Sequence, residues 1–163
     1  MRLFHLLQLR LEGIGLRRHP ALRPFSRDHL IGLFHAQRLM RLVDNCDLKQ
    51  LDDTMTAFEL SWETAISVHF ADEDWLLGTL PLSTSNQQRL HDEHLELTAL
   101  IKQSLKTPYL PPLCARVGVM LADHISWEEH DLFPEIESRL SASELETLEK
   151  KTAEIEKTRH RVL

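Results

Sequence analysis

Two histidine–glutamate pairs with the same spacing suggest chemistry in this sequence. His124 and Glu128 lie four residues apart, and so do His69 and Glu73. At that spacing on a helix, both side chains project from one face with their Cβ atoms roughly 6 Å apart. None of the other eight histidines among the ten has a carboxylate four residues later. Imidazole and carboxylate groups brought together in this way are ligands that suit iron, manganese or zinc.

Hydrophobic periodicity predicts the four long helices that would position these residues. The helices are expected over about residues 26–43, 51–77, 84–105 and from 111 onward. Pro134 is expected to kink the last helix or to start a new turn, because proline lacks a backbone donor. Prolines separate the helical patterns and the chain has only five glycines. The predicted fold class is all-α, an up-down four-helix bundle.

Each predicted helix places one histidine on its apolar face, and two helices add a glutamate. The same faces are predicted to include Val43 in the first helix and Ala65 in the second. Burying an unpaired carboxylate there would cost several kcal/mol, so positive charge must face it. Six donors are too many for one tetrahedral zinc ion. Two six-coordinate ions offer about twelve positions, and the spacing permits both glutamates to bridge them. The predicted metal ligands are His29, His69, Glu73, His94, His124 and Glu128.

The remaining histidines are assigned by their angle to the apolar stripes. His91 lies about 60° from the stripe of the third helix, and is either a second-layer partner of the ligands or exposed. His35 points away from its stripe and is predicted to be exposed or peripheral, and His130 is predicted to lie off the inward face of its helix. A single inward histidine is more often a hydrogen-bonded core residue than a ligand. The coincidence of four histidines on four stripes is what indicates a metal site.

Four stretches around these residues resemble the hemerythrin-like (HHE cation-binding) family. They are SRDHLIGL around His29, HFADEDWLL from His69, LHDEHLEL around His94 and HISWEEHDLFP from His124. The resemblance spans about Ser26 to Leu140, and the same six residues match the ligand positions of the family motif. It implies an up-down bundle that holds a non-haem di-iron centre of two iron ions. Members of this family bind dioxygen or nitric oxide, sense iron or redox state, or help to repair iron–sulfur centres.

The sequence departs from the oxygen carriers of that family in two places. Their third helix has two histidines four residues apart, whereas Leu90 and Thr98 flank His94 at those positions. Their late aspartate ligand corresponds to Glu128 here. One imidazole fewer leaves the metal ions more open. The departure favours a solvent-accessible, redox-active or sensing site over a stable oxygen carrier.

Composition excludes several other classes of function. The formal charge of −6 argues against nucleic acid as a partner. No apolar run has the length of a membrane span, and neither HExxH nor GxSxG occurs, so a hydrolase has no support. Cys46 and Cys114 form no CxxC motif, which indicates a reducing compartment and a cytoplasmic location. Both cysteines are predicted to be small buried apolar residues.

The predicted domain organisation is an extension over residues 1–24 followed by one bundle domain over 25–160. Residues 1–18 are amphipathic and basic, and three interpretations compete: a targeting presequence, a packing extension or a disordered upstream start. We favour an extension outside the bundle. Ser141 and Glu144 form a capping-box pattern that predicts a short fifth helix to about Thr158. The charges of this helix are expected to form a solvated face.

The predicted function is a cytoplasmic di-iron protein that binds dioxygen or nitric oxide in sensing, stress response or iron handling. Another divalent metal is also compatible with the ligands. An iron oxidase or peroxidase is the enzymatic alternative, although ferritin-like sites use Glu-x-x-His pairs and no histidine here has a glutamate three residues earlier. A third interpretation is an interaction module without metal, whose polar core fixes helix pairing.

Overall fold

The described residues form helices, turns and loops, and no strand. The structure is a computed structural model that describes residues 18–44 and 47–159. Its α-helices are α1 (Arg23–Met40), α2 (Leu48–Ser61), α3 (Ser67–Leu76), α4 (Thr84–Ser104), α5 (Pro111–Trp127), α6 (Phe133–Arg139) and α7 (Ala142–Thr158). The predicted all-α class is confirmed for these parts of the chain.

Two π-helical turns join four of these helices into two long segments. One turn, Trp62–Ile66, connects α2 to α3, and the other, Glu128–Leu132, connects α5 to α6. A π turn is wider than an α-helical turn and shifts the buried face of the helix. Accordingly, Ile66 is buried, whereas Ala65, predicted on the apolar stripe, is only half-buried. The bundle thus consists of α1, α2–α3, α4 and α5–α6, with α7 added.

Helix α1 differs from its predicted bounds at both ends. It begins at Arg23 with Pro24 in its first turn, where proline is tolerated, and the predicted start at Ser26 is wrong. At the other end, a 3-10 turn, Arg41–Val43, tightens the chain. The turn buries Leu42 and leaves Val43, predicted to face inward, 53% exposed.

Capping boxes fix the starts of two helices. In α7, the Ser141 side chain accepts from the Glu144 backbone and the Glu144 side chain accepts from the Ser141 backbone, as predicted. The predicted end at Thr158 is also confirmed. In α2, Asp47 and Gln50 form a second capping box that was not predicted, and it starts the helix three residues before the expected position.

Two apolar clusters fill the bundle, one at each end of the helices. The first includes Leu33 of α1, Phe70 of α3, Leu97 of α4 and Leu121 of α5. The second includes Phe25 of α1, Leu76 of α3, Leu90 of α4 and Phe133 of α6. Helix α1 packs along α5 and also contacts α2 and α3, while α4 packs against α3 and α5. Along each segment, the predicted metal ligands lie in the region where residues of one cluster give way to residues of the other.

Residues that precede and follow the four bundle segments in the sequence also belong to the second cluster. Ala21 and Leu22, predicted in the extension, are fully buried there, and Leu145 and Leu148 of α7 pack on the same cluster. The predictions for residues 1–17 and Cys46 lie outside the described residues. Cys114 is buried in the first cluster, as predicted. Over 18–44 and 47–159, no helix has both the length and the apolar character needed to cross a membrane.

The closest approach of α1 to α5 gives a prediction on stability. A Cβ added at Gly118 would lie 2.6 Å from the backbone oxygen of Ala36, which cannot move without shifting α1. Gly118→Ala is therefore expected to lower the free energy of unfolding by about 1–3 kcal/mol in chemical denaturation. Gly32→Ala is the matched control, because its added Cβ meets only the flexible end of Ile125. Equal effects of the two substitutions would contradict this account.

Candidate metal centre

The six predicted ligands lie together in the middle of the bundle, and all six are buried. Their donor atoms form two groups of four, and within each group all donor atoms lie within 4.8 Å of one another. One group is His29, His69, Glu73 and Glu128, and the other is Glu73, His94, His124 and Glu128. The two glutamates belong to both groups. They are therefore placed where a carboxylate would bridge two ions.

The separations between donor atoms fit coordination of common ions. Two donors that each lie about 2.1 Å from one ion are about 3 Å apart when they bind at a right angle. The closest separations have this value: 3.0 Å for His29 Nε2–Glu128 Oε2, 3.1 Å for His94 Nε2–His124 Nε2, and 3.2 Å for both His69 Nε2–Glu73 Oε2 and His124 Nε2–Glu128 Oε1. The structure thus brings the predicted ligands to separations at which they could hold a metal ion.

The polar atoms at the centre lack ordinary hydrogen bonds. Among the described residues, both oxygens of Glu73 and of Glu128 and the Nε2 atoms of His29 and His69 are buried without a hydrogen bond of good geometry. Buried polar groups are nearly always hydrogen-bonded, and each unsatisfied one costs about 1–3 kcal/mol. Metal ions between these atoms would satisfy all of them at once, so the donor set fits a metal centre.

Each of the four histidines also turns its second ring nitrogen toward a carboxylate on a neighbouring segment. The Nδ1 distances are 2.7 Å for His29–Glu129, 2.8 Å for His124–Glu93, 2.9 Å for His94–Asp74 and 3.8 Å for His69–Asp28. An ionised carboxylate only accepts hydrogen bonds, so in the three contacts within hydrogen-bond distance, those of His29, His94 and His124, the facing Nδ1 carries the proton. In the neutral imidazole, the lone pair of Nε2 then faces the centre. This arrangement is typical of histidines that bind metal ions.

The outer carboxylates form a closed ring around the bundle. Each is the sequence neighbour of a predicted ligand: Asp28 of His29, Asp74 of Glu73, Glu93 of His94 and Glu129 of Glu128. One residue along a helix changes the direction of the side chain by about 100°, which turns the acid toward the next segment. Every segment therefore supplies donors to the centre and one carboxylate to the histidine of its neighbour. Sequence reasoning missed these four acids, although an acid beside each ligand was the available signal.

The electrostatics of the centre call for positive charge. Burial lowers the pKa of His29, but the carboxylates of Glu128 and Glu129 outweigh burial and raise this pKa well above its usual value. Burial also lowers the pKa of His94, but the carboxylates of Asp74 and Glu73 more than compensate and raise it to about 10. Burial raises the pKa of Glu128, yet the surrounding imidazoles hold it well below its usual value. The carboxylates thus stay ionised, and either protons on the imidazoles or metal ions must balance them.

Three of the histidines outside the ligand set, His35, His91 and His130, have different surroundings in the structure. His91, the second-layer candidate, is exposed beside Asp74 in a surface depression and lies outside the two groups of donor atoms. His130 is exposed, which agrees with its predicted position off the stripe. His35 was predicted to be exposed or peripheral and is only 4% exposed, packed against the rings of Phe34 and Phe58. Helix α1 contacts both α2 and α5, so its buried face is wider than one stripe.

The burial of His35 gives a prediction on acid stability. Burial foremost, and then Arg38, lowers the pKa of His35 to about 4, so its neutral form favours the folded state. The stabilisation is complete above the ordinary pKa of about 6.5 and is lost as pH falls toward 4. His35→Leu is expected to flatten the fall in melting temperature between pH 7 and 4. The exposed His130→Leu should leave that slope unchanged, and equal slopes in all three proteins would contradict the account.

A small cavity adjoins one of the two groups of donor atoms. His29 and His69 line it together with Gly32, Ala65, Ile66, Phe70, Leu121 and Ile125, and with Asp28. Apart from Asp28 and the two imidazoles, its walls are apolar. The cavity has room for about one water-sized molecule. Any small molecule that enters it reaches the His29–His69 group before the other one.

Known proteins offer no further guide to the centre. Compared with protein families, with curated proteins and with solved structures, the chain matches none of them.

Proposed function

We propose that this chain is a hemerythrin-like protein whose bundle holds a non-haem pair of metal ions, iron in the cell. His29 and His69 would bind one ion, His94 and His124 the other, and Glu73 and Glu128 both. The observation that carries this proposal is that Glu73 and Glu128 belong to both groups of donor atoms. A single-ion site or a hydrogen-bonded polar core has no need of two buried glutamates shared in this way.

The order of the apolar clusters along the chain supports the up-down arrangement of such a bundle. Helix α1 runs from the second cluster at Phe25 to the first at Leu33, and α4 runs likewise from Leu90 to Leu97. The segments α2–α3 and α5–α6 run from the first cluster to the second. Successive segments therefore alternate in direction. Antiparallel neighbours bring inward side chains from four helices to one level, where bundles place metal sites.

A metal pair in this centre would bind a small diatomic molecule, dioxygen or nitric oxide. The four imidazoles and two bridging carboxylates fill about eight of about twelve positions on two six-coordinate ions, so positions stay open. The apolar cavity beside His29 and His69, which has room for about one water-sized molecule, adjoins one of the two groups of donor atoms. A redox-sensing, stress-response or iron-handling role in the cytoplasm is the function that this chemistry fits best.

In this mechanism, the residues of the chain would hold the metal ions, orient the imidazole ligands and exclude bulk water. When bound, an iron pair would supply the redox chemistry toward the diatomic ligand, and the six ligand residues would hold the two ions. The outer carboxylates Glu129, Asp74 and Glu93 hold their imidazoles in the tautomer whose lone pair faces the centre. Phe70 stacks on the His94 ring, with the ring centroids 4.3 Å apart, and fixes its orientation. The apolar clusters on both sides keep bulk water away from the donors.

Metal quantification combined with optical spectroscopy tests this proposal. Protein purified after iron-replete expression should contain about two iron ions per chain. The reduced protein should gain absorption bands on exposure to air or nitric oxide, and azide should change the bands of the oxidised form. Fewer than about one metal ion per chain would contradict the proposal and favour an interaction module with a polar core. Two zinc ions and no spectral change would contradict the redox function.

A further inference from the structure

Among the four histidines, His69 has the longest distance between its Nδ1 atom and the facing carboxylate. The Nδ1 atoms of His29, His94 and His124 lie 2.7–2.9 Å from their carboxylates. The Nδ1 atom of His69 lies 3.8 Å from Asp28 Oδ2, beyond hydrogen-bond distance. In the described part of the chain, this Nδ1 is buried and has no hydrogen-bond partner. Something therefore keeps Asp28 from closing on His69.

Arg159 holds the Asp28 oxygen that faces His69. Arg159 follows the last residue of α7, so it comes from outside the four segments that build the centre. Its Nη1 binds Asp28 Oδ2, the same oxygen that lies nearest to His69 Nδ1. Its Nε donates to Asp72 Oδ2 at 2.8 Å, and its Nη2 binds that oxygen too. The Arg159 side chain is only 11% exposed, so water screens these ion pairs weakly.

The comparison with His29 shows why this contact matters. Glu129 also binds an arginine, Arg18, but through Oε2, and it keeps Oε1 for His29 at 2.7 Å. One carboxylate thus serves arginine and histidine with different oxygens. At Asp28, the guanidinium of Arg159 binds Oδ2, the oxygen that lies nearest to His69 Nδ1, and holds it 3.8 Å from that nitrogen. A charged donor forms the stronger hydrogen bond to a carboxylate, so Arg159 prevails over the neutral imidazole.

We propose that Arg159 is a positioning residue that weakens metal binding at the His29–His69 group by holding Asp28 away from His69. The inference rests on the proposed function, because it concerns the same metal pair. A carboxylate that accepts from a ligating histidine raises the basicity of the ligand and tightens metal binding. The ion on His29 and His69 is therefore the more weakly held of the two. That group also lines the cavity, so the end of α7 controls the more accessible metal position.

Stepwise metal binding tests this role. Metal-free protein is titrated with Co²⁺ in competition with a chelator, and the absorption bands of bound Co²⁺ report the two binding steps. In Arg159→Gln, Asp28 Oδ2 loses its guanidinium partner and can approach His69, so the weaker step should tighten about tenfold while the tighter step stays unchanged. In Asp28→Asn, His69 loses the charge of its carboxylate, and the weaker step should weaken further. The two variants therefore move one binding step in opposite directions.

A matched control separates this role from anchoring of α7. Arg27 also joins α1 to α7, but through the carboxylate of Glu156. Arg27→Gln should leave both binding steps unchanged. If Arg159 only anchored α7, Arg159→Gln would weaken metal binding and Arg27→Gln would change it in the same direction, which would overturn the inference.

Two further results complete the test. Arg159→Lys keeps the charge but cannot span Asp28 and Asp72 with a planar fork, so it should tighten the weaker step by a smaller factor. It also provides the measurement if Arg159→Gln does not fold, and unchanged binding in it would then overturn the inference. Wild-type protein that binds two Co²⁺ ions, with the same titration in Arg159→Gln, overturns this inference alone. Wild-type protein that binds no metal overturns the proposed function, and this inference falls with it.

Discussion

Replacing Glu128 by alanine is expected to remove both metal ions, since its carboxylate belongs to both groups of donor atoms. The same result is expected for Glu73→Ala. Each metal ion that binds only the folded state stabilises it by about 4 kcal/mol when present at a thousand times its Kd. For a chain of this size, each ion then raises the melting temperature by about 10 °C. Both variants should therefore contain little metal and melt about 20 °C below the wild type loaded with two ions.

Substitutions at single histidines provide the contrast to this result. His94→Ala removes a donor from one group only, so this variant should retain close to one ion per chain. Glu128→Gln preserves the volume of the side chain and removes its charge, and loss of metal there shows that the carboxylate rather than packing is responsible. His130→Ala changes an exposed residue and should leave metal content and melting temperature unaltered. Wild-type metal content in both glutamate variants would refute the ligand assignment.

The inner residues of the site could be predicted because helix geometry is local. Residues four apart on a helix share a face whatever the rest of the chain does, and this places His69 beside Glu73 and His124 beside Glu128. The apolar periodicity around His29 and His94 likewise marks the inward face of each helix. All four predicted long helices begin within three residues of the observed starts for the same reason.

The outer residues could not be predicted in the same way because they act between segments. Glu93 serves His124, and Glu129 serves His29, so each pairing depends on how far one segment is displaced along another. Helical periodicity within one segment does not set that displacement; packing of the apolar clusters does. Arg159 is the extreme case. It follows a helix whose charges were predicted to be a solvated face, and it reaches Asp28 only because α7 folds back on the bundle.

Three predictions were incorrect for reasons that ideal helix geometry does not include. Ser26 is a favourable N-cap residue, but the chain accommodates Pro24 in the first turn and starts the helix earlier. Val43 lies in a 3-10 turn, where the tighter winding turns its side chain outward. His35 lies on an α1 face that two neighbouring segments cover. The two π turns were not expected from the sequence either, and both lie beside an HxxxE pair, as π turns at functional sites often do.

Removing the metal is expected to make the stability of the protein fall at alkaline pH. In the metal-free protein, protons on the imidazoles balance the carboxylates, and the pKa of His94 is raised to about 10. A raised pKa contributes stability that is complete below the ordinary value of about 6.5 and is lost as pH rises toward 10. Metal ions replace these protons, and alkaline pH favours the deprotonated ligands. The melting temperature of chelator-treated protein should therefore drop between pH 7 and 10, while that of loaded protein stays nearly constant.

The two pH profiles separate the metal centre from a purely ionic core. Calorimetry on the same preparation, before and after chelation and again after metal is restored, should show the alkaline fall appear and disappear. In Glu73→Ala, one of the carboxylates that raises the pKa of His94 is absent, so the metal-free profile should be shallower. Loaded and chelated proteins with the same alkaline fall would show that protons balance the carboxylates in both, and the metal centre would be refuted. A flat profile after chelation would refute the buried ion pairs instead, because nothing that titrates in this range would then stabilise the fold.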